Sequence, residues 1–334
     1  MELDDVGFVN LTYYAFHVIQ FKPSKTHSSY AKIQSTTLKI TRYINIQFFI
    51  YYNYKNNIIM NNPSLTLSIQ DIQNTLFEGD CLEIMKQFPD NSIDMVLCDL
   101  PYGTTQNKWD IIINFDDLWQ QYHRIVKPNG AIVLTGQGLF TAKLILSNEK
   151  YFKYKIVWEK SKPTNFLNAK KQPLRKHEDI CVFYRKQPTY NPQMTEGKPY
   201  NKGIRKDKLT GSYGSFKPVL RTSDGERYPI DVVYFKTAES EPYGQVIHPT
   251  QKPVELGRYL IKTYSNEGDL ILDNSFGSGS FLLAAALENR KFCGIELNQN
   301  THLFKQSDKV MDYIDFAKNR LDEVGIETKV VRAK

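Results

Sequence analysis

Short apolar runs alternate with amphipathic stretches along the chain after residue 75. Asp94–Cys98 and Ala131–Thr135 are apolar runs of strand length, whereas Asp116–Val126 carries its apolar side chains at helical spacing and ends at a helix-stop sequence. The same patterns predict strands over Leu76–Gly79, Tyr154–Trp158, Asp179–Tyr184, Tyr228–Phe235 and Phe292–Leu297, and helices over Asp80–Lys86, Gly138–Ser147, Pro253–Tyr264, Phe281–Leu287 and, as one or two helices, Asn298–Leu321. This alternation predicts an α/β fold, with a mostly parallel sheet and helices on both faces.

The first 64 residues differ from the rest, because they are rich in Tyr, Phe, Ile and Asn and only weakly periodic. Their most apolar part, Ile44–Met60, is interrupted by Asn, Gln and Lys, so it is too short and too polar for a membrane span. It also lies too far along the chain for a signal peptide. We expect residues 1–64 to be an atypical extension, either disordered or translated from upstream of a native start at Met60. The last dozen residues are charged, and we expect them to be frayed.

Composition is that of a soluble globular protein, with 41% hydrophobic residues and a formal net charge of +7 in 334 residues. The positive charge suits a nucleic-acid partner without identifying one. The four cysteines, Cys81, Cys98, Cys181 and Cys293, lie far apart, and the six histidines show no ligand spacing. We therefore expect reduced core cysteines, no zinc or other metal, no membrane contact and a cytoplasmic location.

The first candidate site is Asp99-Leu100-Pro101-Tyr102, directly after the predicted strand Asp94–Cys98. It places a carboxylate, a backbone carbonyl and an aromatic ring at the carboxyl end of a strand, where open α/β sheets bind ligands. The carboxylate and the carbonyl can each accept a hydrogen bond from an amino group, and the ring can stack on a planar base. On these four residues alone, an ordinary Pro-Gly turn is the simpler interpretation.

A second motif, Asp273-Asn274-Ser275-Phe276-Gly277-Ser278-Gly279-Ser280, follows an apolar strand and opens a helix. Gly277 and Gly279 allow a ligand to approach the backbone, and the helix start offers free amide groups. The next strand ends at Glu296, an acid that can hold two ribose hydroxyls. No Lys-Ser or Lys-Thr follows the glycines, which excludes a Walker loop, and Leu282 replaces the third glycine of the dinucleotide fingerprint. The pattern favours a nucleoside cofactor, although any tight strand-to-helix turn would also produce it.

Together the two motifs resemble those of DNA amino-methyltransferases, which transfer a methyl group from S-adenosylmethionine to adenine N6 or cytosine N4. The family's catalytic tetrapeptide is usually Asp-Pro-Pro-Tyr and its cofactor loop Asp-Pro-Phe-x-Gly-Ser-Gly-Thr, so Leu100, Asn274 and Ser275 are departures. The catalytic motif precedes the cofactor motif, as in the family's beta group. Two further stretches match the family, Glu78–Glu83 and His248–Pro253. The resemblance implies a Rossmann-like S-adenosylmethionine-dependent methyltransferase fold with an inserted target-recognition region.

The resemblance also divides the chain into functional regions. Residues 65–184 would form the catalytic half of the methyltransferase domain and residues 248–325 its cofactor-binding half, followed by a tail over 326–334. Residues 185–247 occupy the position of the family's target-recognition region. The part from Arg185 to Val246 lacks long apolar runs and has eleven basic residues against seven acids, a composition that would equally allow a disordered insert.

By resemblance, Asp99, Leu100, Pro101 and Tyr102 are the catalytic residues. Asp99 and the Leu100 carbonyl would accept the two hydrogens of an amino group and favour a tetrahedral nitrogen, while Tyr102 stacks on a base that has left the duplex. Adenine N6 is preferred because the tetrapeptide begins with Asp, whereas cytosine-N4 members more often have Ser there. The alternatives are a cytosine-N4 enzyme, an RNA or protein-amide methyltransferase, and a DNA-binding relic that lost catalysis through Leu100 and the altered loop.

The implied cofactor is S-adenosylmethionine. Its contacts would be made by seven residues, Asp80, Lys252, Asp273, Phe276, Gly277, Gly279 and Glu296. Asp80 would contact the adenine ring, and its position alone also predicts that it is the N-cap of the helix Asp80–Lys86. Glu296 would bind the ribose, whereas a surface acid at a strand end is the alternative.

The implied partner is double-stranded DNA, and the sequence leaves open a homodimer. Glu159–Lys176 has six basic residues and one acid, and its Pro and Asn residues predict a loop. We expect six side chains of this loop to contact phosphates without reading sequence: Lys160, Lys162, Lys170, Lys171, Arg175 and Lys176. A solvated loop that makes no DNA contact is the alternative.

Overall fold

The computed structural model describes residues 65–105, 110–205, 217–243, 246, 250–298, 304–306 and 309–332, which belong to one compact unit from Asn62 to Lys334. The expectations for residues 1–64 and the first two residues of the His248–Pro253 motif lie outside these ranges. The α-helices are α1 (Ile69–Ile72), α2 (Cys81–Lys86), α3 (Phe115–Ile125), α4 (Leu139–Ser147), α5 (Val254–Tyr264), α6 (Ser280–Leu287) and α7 (Tyr313–Glu323), with 3-10 turns at Phe166–Asn168 and Ala238–Ser240.

The strands are β1 (Thr75–Glu78), β2 (Ile93–Cys98), β3 (Val126–Gly136), β4 (Phe152–Thr164), β5 (Arg175–Phe183), β6 (Thr195–Glu196), β7 (Tyr200–Arg205), β8 (Val219–Ser223), β9 (Glu226–Arg227), β10 (Val232–Phe235), β11 (Leu270–Asp273), β12 (Lys291–Glu296), β13 (Phe304–Gln306), β14 (Lys309–Met311) and β15 (Lys329–Val331). Nine of these described strands form one sheet in the order β10-β4-β5-β3-β2-β11-β12-β1-β15. The antiparallel pairs in it are β3–β5 and β4–β5, and the other neighbours are parallel. The expectation of a mostly parallel sheet is confirmed.

The centre of the sheet determines where the site forms. β2 pairs in parallel with β11, with Met95 opposite Ile271 and Val96 opposite Leu272. Parallel neighbours end at the same edge of a sheet, so the tetrapeptide after β2 and the glycine loop after β11 emerge side by side.

Helices cover both faces of this sheet. Met95 and Leu97 of β2 belong to the same core cluster as Leu282 of α6, and α6 contacts both α5 and α7. Side chains alternate along a strand, so the fully buried Val96 and Cys98 face the opposite layer, where α2, α3 and α4 pack. The two-layer helix arrangement expected from the sequence is therefore present.

The basic segment Glu159–Lys176 is not the single loop that its Pro and Asn residues predict. β4 continues to Thr164 and β5 begins at Arg175, so Lys160 and Lys162 lie on one strand and Arg175 and Lys176 on its partner. Thr164 pairs with Arg175 across an irregular register, which shows that the hairpin persists past the last regular pair. The loop prediction is wrong at both ends and holds only for the tip between them.

The carboxyl-terminal part also differs from expectation. Between Asn298 and Leu321 the described residues form the β13–β14 hairpin and then α7, rather than one or two helices. The segment expected to be frayed contains β15, which pairs in parallel with β1 and buries Val331. Arg332 then bridges Asp312, which explains why a charged segment is held in place.

The region expected to recognise the target contains short strands at its described positions. β6 pairs with β9 and β7 with β8, so the composition that would have allowed a disordered insert does not prevent local pairing. β10 pairs in parallel with β4 at the edge of the main sheet, which agrees with the predicted return of Tyr228–Phe235 to the core.

Three other features bear on function. Within the described ranges, no group of three or more His, Cys, Asp or Glu side chains could hold a metal ion. None of the helices described above has the length and apolarity needed to span a membrane. All four cysteines are free and buried, as expected for core residues.

Candidate active site

One cavity of about 750 Å³ lies at the edge of the sheet where β2 and β11 end. The four residues of the predicted catalytic tetrapeptide line it. So do six of the seven predicted cofactor contacts, Asp80, Lys252, Asp273, Phe276, Gly277 and Glu296. Gly279 lies outside the lining, between Ser278 and Ser280, which both belong to it. The structure therefore brings two motifs that are far apart in sequence into one site.

The carboxylate of Asp99 is held by three side chains. Its Oδ1 accepts hydrogen bonds from the hydroxyl of Tyr102, at 2.8 Å, and from the hydroxyl of Thr135. Its Oδ2 faces the ammonium group of Lys252, with Nζ at 2.6 Å. This arrangement fixes the carboxylate in one orientation and leaves one lone pair of Oδ2 free to accept a further hydrogen bond.

Lys252 also belongs to a chain of buried charges. Its Nζ lies 3.3 Å from Oε2 of Glu178, and Oε1 of the same glutamate accepts from Nζ of Lys160 at 3.1 Å. Burial opposes the positive charge of Lys252, but Asp99 and Glu178 outweigh it and raise the pKa of this lysine. Lys252 is therefore a permanent cation shared between two carboxylates.

Tyr102 has a packed ring as well as a bonded hydroxyl. The ring stacks on Phe140, with centroids 4.7 Å apart and planes at 27°. Nζ of Lys252 lies 5.4 Å from the centroid of Tyr102. Burial and the charge of Asp99 raise the pKa of Tyr102 well above its usual value, so the phenol remains a donor to Asp99.

The residues that depart from the family's cofactor loop make specific contacts here. The Ser275 hydroxyl donates to the backbone carbonyl of Asp99 at 3.1 Å and lies 3.1 Å from Sγ of Cys98. Tyr122 donates to Oδ1 of the buried Asn274 at 2.5 Å. Ser275 thus links the cofactor loop directly to the catalytic residue, and Asn274 anchors the loop to α3.

The glycine loop adopts backbone conformations that require glycine. Gly277 and Gly279 have φ values of 51° and 75°. A Cβ on Gly279 would lie 2.7 Å from Cβ of Ala317 in α7, closer than side chains can approach. The amide of Gly277 donates to Oε2 of Glu296 at 2.8 Å, and the amide of Asn298 donates to Oε1 at 3.2 Å.

Two other acids of the predicted cofactor set are structurally constrained. Oδ1 of Asp80 accepts from the amides of Leu82 and Glu83 at 2.8 and 3.1 Å, so its expected role as the N-cap of α2 is confirmed. Asp273 is buried at the end of β11, and this burial raises its pKa to about 8. Near neutral pH, Asp273 is therefore largely a protonated acid.

The six basic residues predicted to contact DNA phosphates separate by burial into two groups. Lys160 is buried, with 4% of its side chain exposed and an ion pair to Glu178, so it does not present a surface charge to a phosphate. The exposed ones are Lys162, Lys170, Lys171, Arg175 and Lys176. Arg175 lines the same cavity, and Lys176 pairs with Glu159 at 2.7 Å.

Sequence reasoning missed two residues of the site, Thr135 and Glu178. Thr135 ends the apolar run of β3 and is completely buried. Glu178 lies near the beginning of β5, the strand that runs against the others, so it reaches the edge where the parallel strands end. A polar residue at the end of a predicted buried strand was the available signal for Thr135, whereas Glu178 required knowledge of the strand direction.

Comparison with known proteins defines the class. A family model described as DNA methylase, of the N6/N4 methyltransferase type, matches residues 93–307, which is more than half of the chain. The chain belongs to this family and is a DNA methyltransferase. Methyltransferases of this family use S-adenosylmethionine.

Two relatives are similar over most of their length. The chain is 26% identical over 275 residues to the type II methyltransferase M2.MboI of Moraxella bovis, which covers 75% of this chain and 88% of that protein. It is 26% identical over 291 residues to the type II methyltransferase M.HinfI of Haemophilus influenzae, which covers 77% and 70%.

Solved structures share the fold at low identity. The PvuII DNA methyltransferase, described as cytosine-N4-specific, superposes with a TM-score of 0.51 at 16% identity, covering 81% of this chain and 98% of that one. A Thermus thermophilus protein described as a DNA modification methylase, solved with S-adenosyl-L-methionine, gives 0.50 at 20% identity, covering 78% and 99%.

The residues of the cavity fit this cofactor. Each carboxylate oxygen of Glu296 retains a lone pair beside the amide hydrogen it already accepts, so both can bind ribose hydroxyls. Phe276 is nearly buried and lines the cavity, where it provides an apolar wall. The cavity volume is typical of cofactor sites. The individual contacts of the seven residues remain predictions.

Proposed function

We propose that this enzyme transfers a methyl group to the N6 amino group of adenine at a specific site in double-stranded DNA. The observation that carries the proposal is the carboxylate of Asp99, fixed in the cavity by Tyr102, Thr135 and Lys252. The resemblance associates Asp at this position with adenine enzymes. Relatives described as type II methyltransferases support a role in a restriction-modification system.

Asp99 and the backbone carbonyl of Leu100 act on the amino group of the target. A nucleobase amine is a poor nucleophile because its lone pair is delocalised into the ring. Two acceptors that bind its two hydrogens favour a tetrahedral nitrogen whose lone pair points away from the ring plane. Holding that nitrogen in line with the methyl carbon is then the main contribution of the protein.

The proton balance also depends on Asp99. When bound, S-adenosylmethionine supplies a methyl group whose bond to the cationic sulfur breaks with its electron pair remaining on sulfur. The amino nitrogen gains the methyl group and loses one proton, and Asp99 is the base beside it. Lys252 is already a cation and cannot accept this proton, but it stabilises the carboxylate that does.

Asp99 must interact both with Lys252 and with the amino group of the target base. Because Glu178 lies 3.3 Å from the same ammonium nitrogen, Lys252 can shift toward Glu178 without becoming an unpaired buried charge. We therefore propose that Lys252 acts by positioning Asp99, and the cofactor contact that the resemblance implies is the alternative role.

The exposed basic residues and the region 185–247 are the proposed DNA-binding surface. The exposed residues that would contact phosphates are Lys162, Lys170, Lys171, Arg175 and Lys176, of which Arg175 lines the cavity. Residues 185–247 would read the recognition sequence. The proposed DNA substrate supports the cytoplasmic location expected from the sequence.

Transfer of labelled methyl to unmethylated duplex DNA tests this proposal. Wild type, Asp99→Ala and, as a control on an exposed carboxylate away from the cavity, Asp322→Ala are compared, and the product is digested to nucleosides. We expect N6-methyladenine from wild type and Asp322→Ala and none from Asp99→Ala. N4-methylcytosine as the product would support the same mechanism but would show that the target base is cytosine. Bound cofactor with no DNA product would indicate another substrate, and DNA binding without any cofactor binding would indicate a relic.

A further inference from the structure

Two large apolar side chains project from the connection between β4 and β5. Phe166 and Leu167 are 76% and 84% exposed, and they are adjacent in sequence. We refer to residues 165–174 as the β4–β5 tip. Isolated exposed apolar residues are common on protein surfaces, but an adjacent pair of this size exposes an unusual amount of apolar area at one point.

The tip is held by its own hydrogen bonds. Asn165 has a left-handed backbone, with φ of 70°, and its Oδ1 accepts from Nδ2 of Asn168 at 2.7 Å. The amide of Ala169 donates to the carbonyl of Phe166 at 3.1 Å, and the amide of Lys171 donates to that of Asn168 at 2.8 Å. Phe166 and Leu167 are therefore presented by an ordered turn.

The tip lies beside the catalytic cavity. Thr164 before it, Asn165 at its first position and Arg175 after it line the same cavity as Asp99 and Tyr102. The base of the tip therefore forms part of the cavity wall.

The charges around Phe166 and Leu167 indicate which kind of partner these side chains contact. Lys162, Lys170, Lys171 and Arg175 are exposed on the tip and on the strand ends that carry it. An apolar point surrounded by cations matches a duplex, which has phosphates on its outside and stacked bases inside. It does not match an ordinary apolar protein surface, which would leave the lysines without counter-charges.

We propose that Phe166 and Leu167 enter the base stack of duplex DNA and fill the space left by the target base as it moves to Asp99. This inference rests on the proposed function. A base that leaves the duplex loses its stacking and its pairing. Apolar side chains inserted at that step restore part of the lost stacking, while the neighbouring lysines hold the backbone in place.

The test uses a synthetic duplex carrying the site at which wild type methylates unmethylated genomic DNA. A second duplex has an abasic nucleotide opposite the target, so the target base has no pairing partner. The double variant Phe166→Ala/Leu167→Ala is compared with Leu146→Ala, a residue that is 72% exposed at the end of α4 and does not line the cavity. Thermal unfolding and cofactor affinity are measured for each variant.

We expect the double variant to lose about tenfold or more in kcat/KM on the paired duplex and to recover to within about threefold of wild type on the abasic duplex. Leu146→Ala should match wild type on both. Full activity of the double variant on the paired duplex would overturn the inference, as would an equal loss on both duplexes. A loss accompanied by a change in sedimentation of the free enzyme would instead assign the tip to self-association. If wild type methylated neither duplex nor genomic DNA, the proposed function itself would fail.

Discussion

Nζ of Lys252 lies 2.6 Å from Oδ2 of Asp99, so the proposed catalytic carboxylate is ion-paired inside its own cavity. Only 8% of the lysine side chain and 21% of the aspartate side chain are exposed. In such a shielded pair, removing one partner leaves an uncompensated charge. Glu178 faces the same ammonium group, so Lys252 neutralises two carboxylates at once. Removing any one of the three side chains therefore changes the electrostatic environment of the other two.

Lys252→Met should lower kcat by about tenfold to a hundredfold, because Asp99 loses a charge-assisted hydrogen bond. The dissociation constant of S-adenosylmethionine should change by less than about threefold if the lysine acts through Asp99. Calorimetry and steady-state kinetics separate the two effects. Lys262→Met, which removes an exposed lysine of α5 outside the cavity, is the control. A large loss of cofactor affinity with unchanged kcat would assign Lys252 to cofactor binding alone.

Thr135→Val should lower kcat by roughly tenfold, since the nearly isosteric valine cannot donate to Oδ1 of Asp99. Thr135→Ser retains the hydroxyl and should keep most of the activity. Single-turnover methylation of duplex DNA measures the chemical step for both. Equal rates for the valine and serine variants would show that the hydrogen bond does not orient Asp99 for the reaction.

Gly279→Ala should destabilise the protein more than Gly268→Ala does. Both glycines have positive φ, at 75° and 83°, so both substitutions carry a backbone cost of about 1–2 kcal/mol. A Cβ on Gly268 meets nothing within 4 Å, whereas one on Gly279 overlaps Ala317. Urea unfolding gives the difference, and the extra loss at Gly279 should be accompanied by weaker cofactor binding. Equal losses in the free energy of unfolding for the two variants would show that α7 shifts to accommodate the added Cβ.

Asp273→Asn should change the pH dependence of stability. The pKa of Asp273 rises from 3.8 to about 8 on folding, so the folded protein holds a proton that the unfolded chain has released. The stability gained from this proton is complete below pH 3.8 and is lost as the pH rises toward 8. The asparagine variant lacks this loss, so its stability relative to wild type should increase between about pH 5 and about pH 8. Urea unfolding at several pH values measures the difference in the free energy of unfolding between the variant and wild type. A difference that does not change with pH would contradict the assigned pKa of Asp273.

The central elements could be predicted because their signals are local. The apolar run of β2 leads directly into Asp99, and the run of β11 leads into the glycine loop, so each motif and its supporting strand are continuous in sequence. The meeting of the two motifs follows from the rule that parallel strands present their carboxyl ends at one edge.

The missed residues depend on information that is not local. Thr135 reaches Asp99 because β3 is the neighbour of β2, and Glu178 reaches Lys252 because β5 runs antiparallel to β3. Strand order and direction are decided by packing of the whole sheet, so the sequence around Thr135 or Glu178 does not show which residue either side chain contacts.

The loop predicted for Glu159–Lys176 failed for a related reason. Lysines, prolines and asparagines weaken a strand signal, but pairing with β5 extends β4 to Thr164. Burial of Lys160 becomes favourable only because Glu178 lies across the hairpin. The frayed tail was mispredicted in the same way, since β15 is stabilised by β1 and not by its own residues.

The position of β1 has a consequence for synthesis of the protein. Both of its neighbours, β12 and β15, come from the other end of the sequence, and β2 pairs on one side with β11. While the ribosome is still translating residues 100–260, β1 has neither neighbour and β2 lacks one, so unpaired backbone and apolar surface remain exposed. The sheet therefore cannot fold from its beginning to its end as the chain emerges. The methyl-transfer site is completed only after Glu296, at the end of β12, has been released. A nascent chain stalled before that point is expected to need a chaperone.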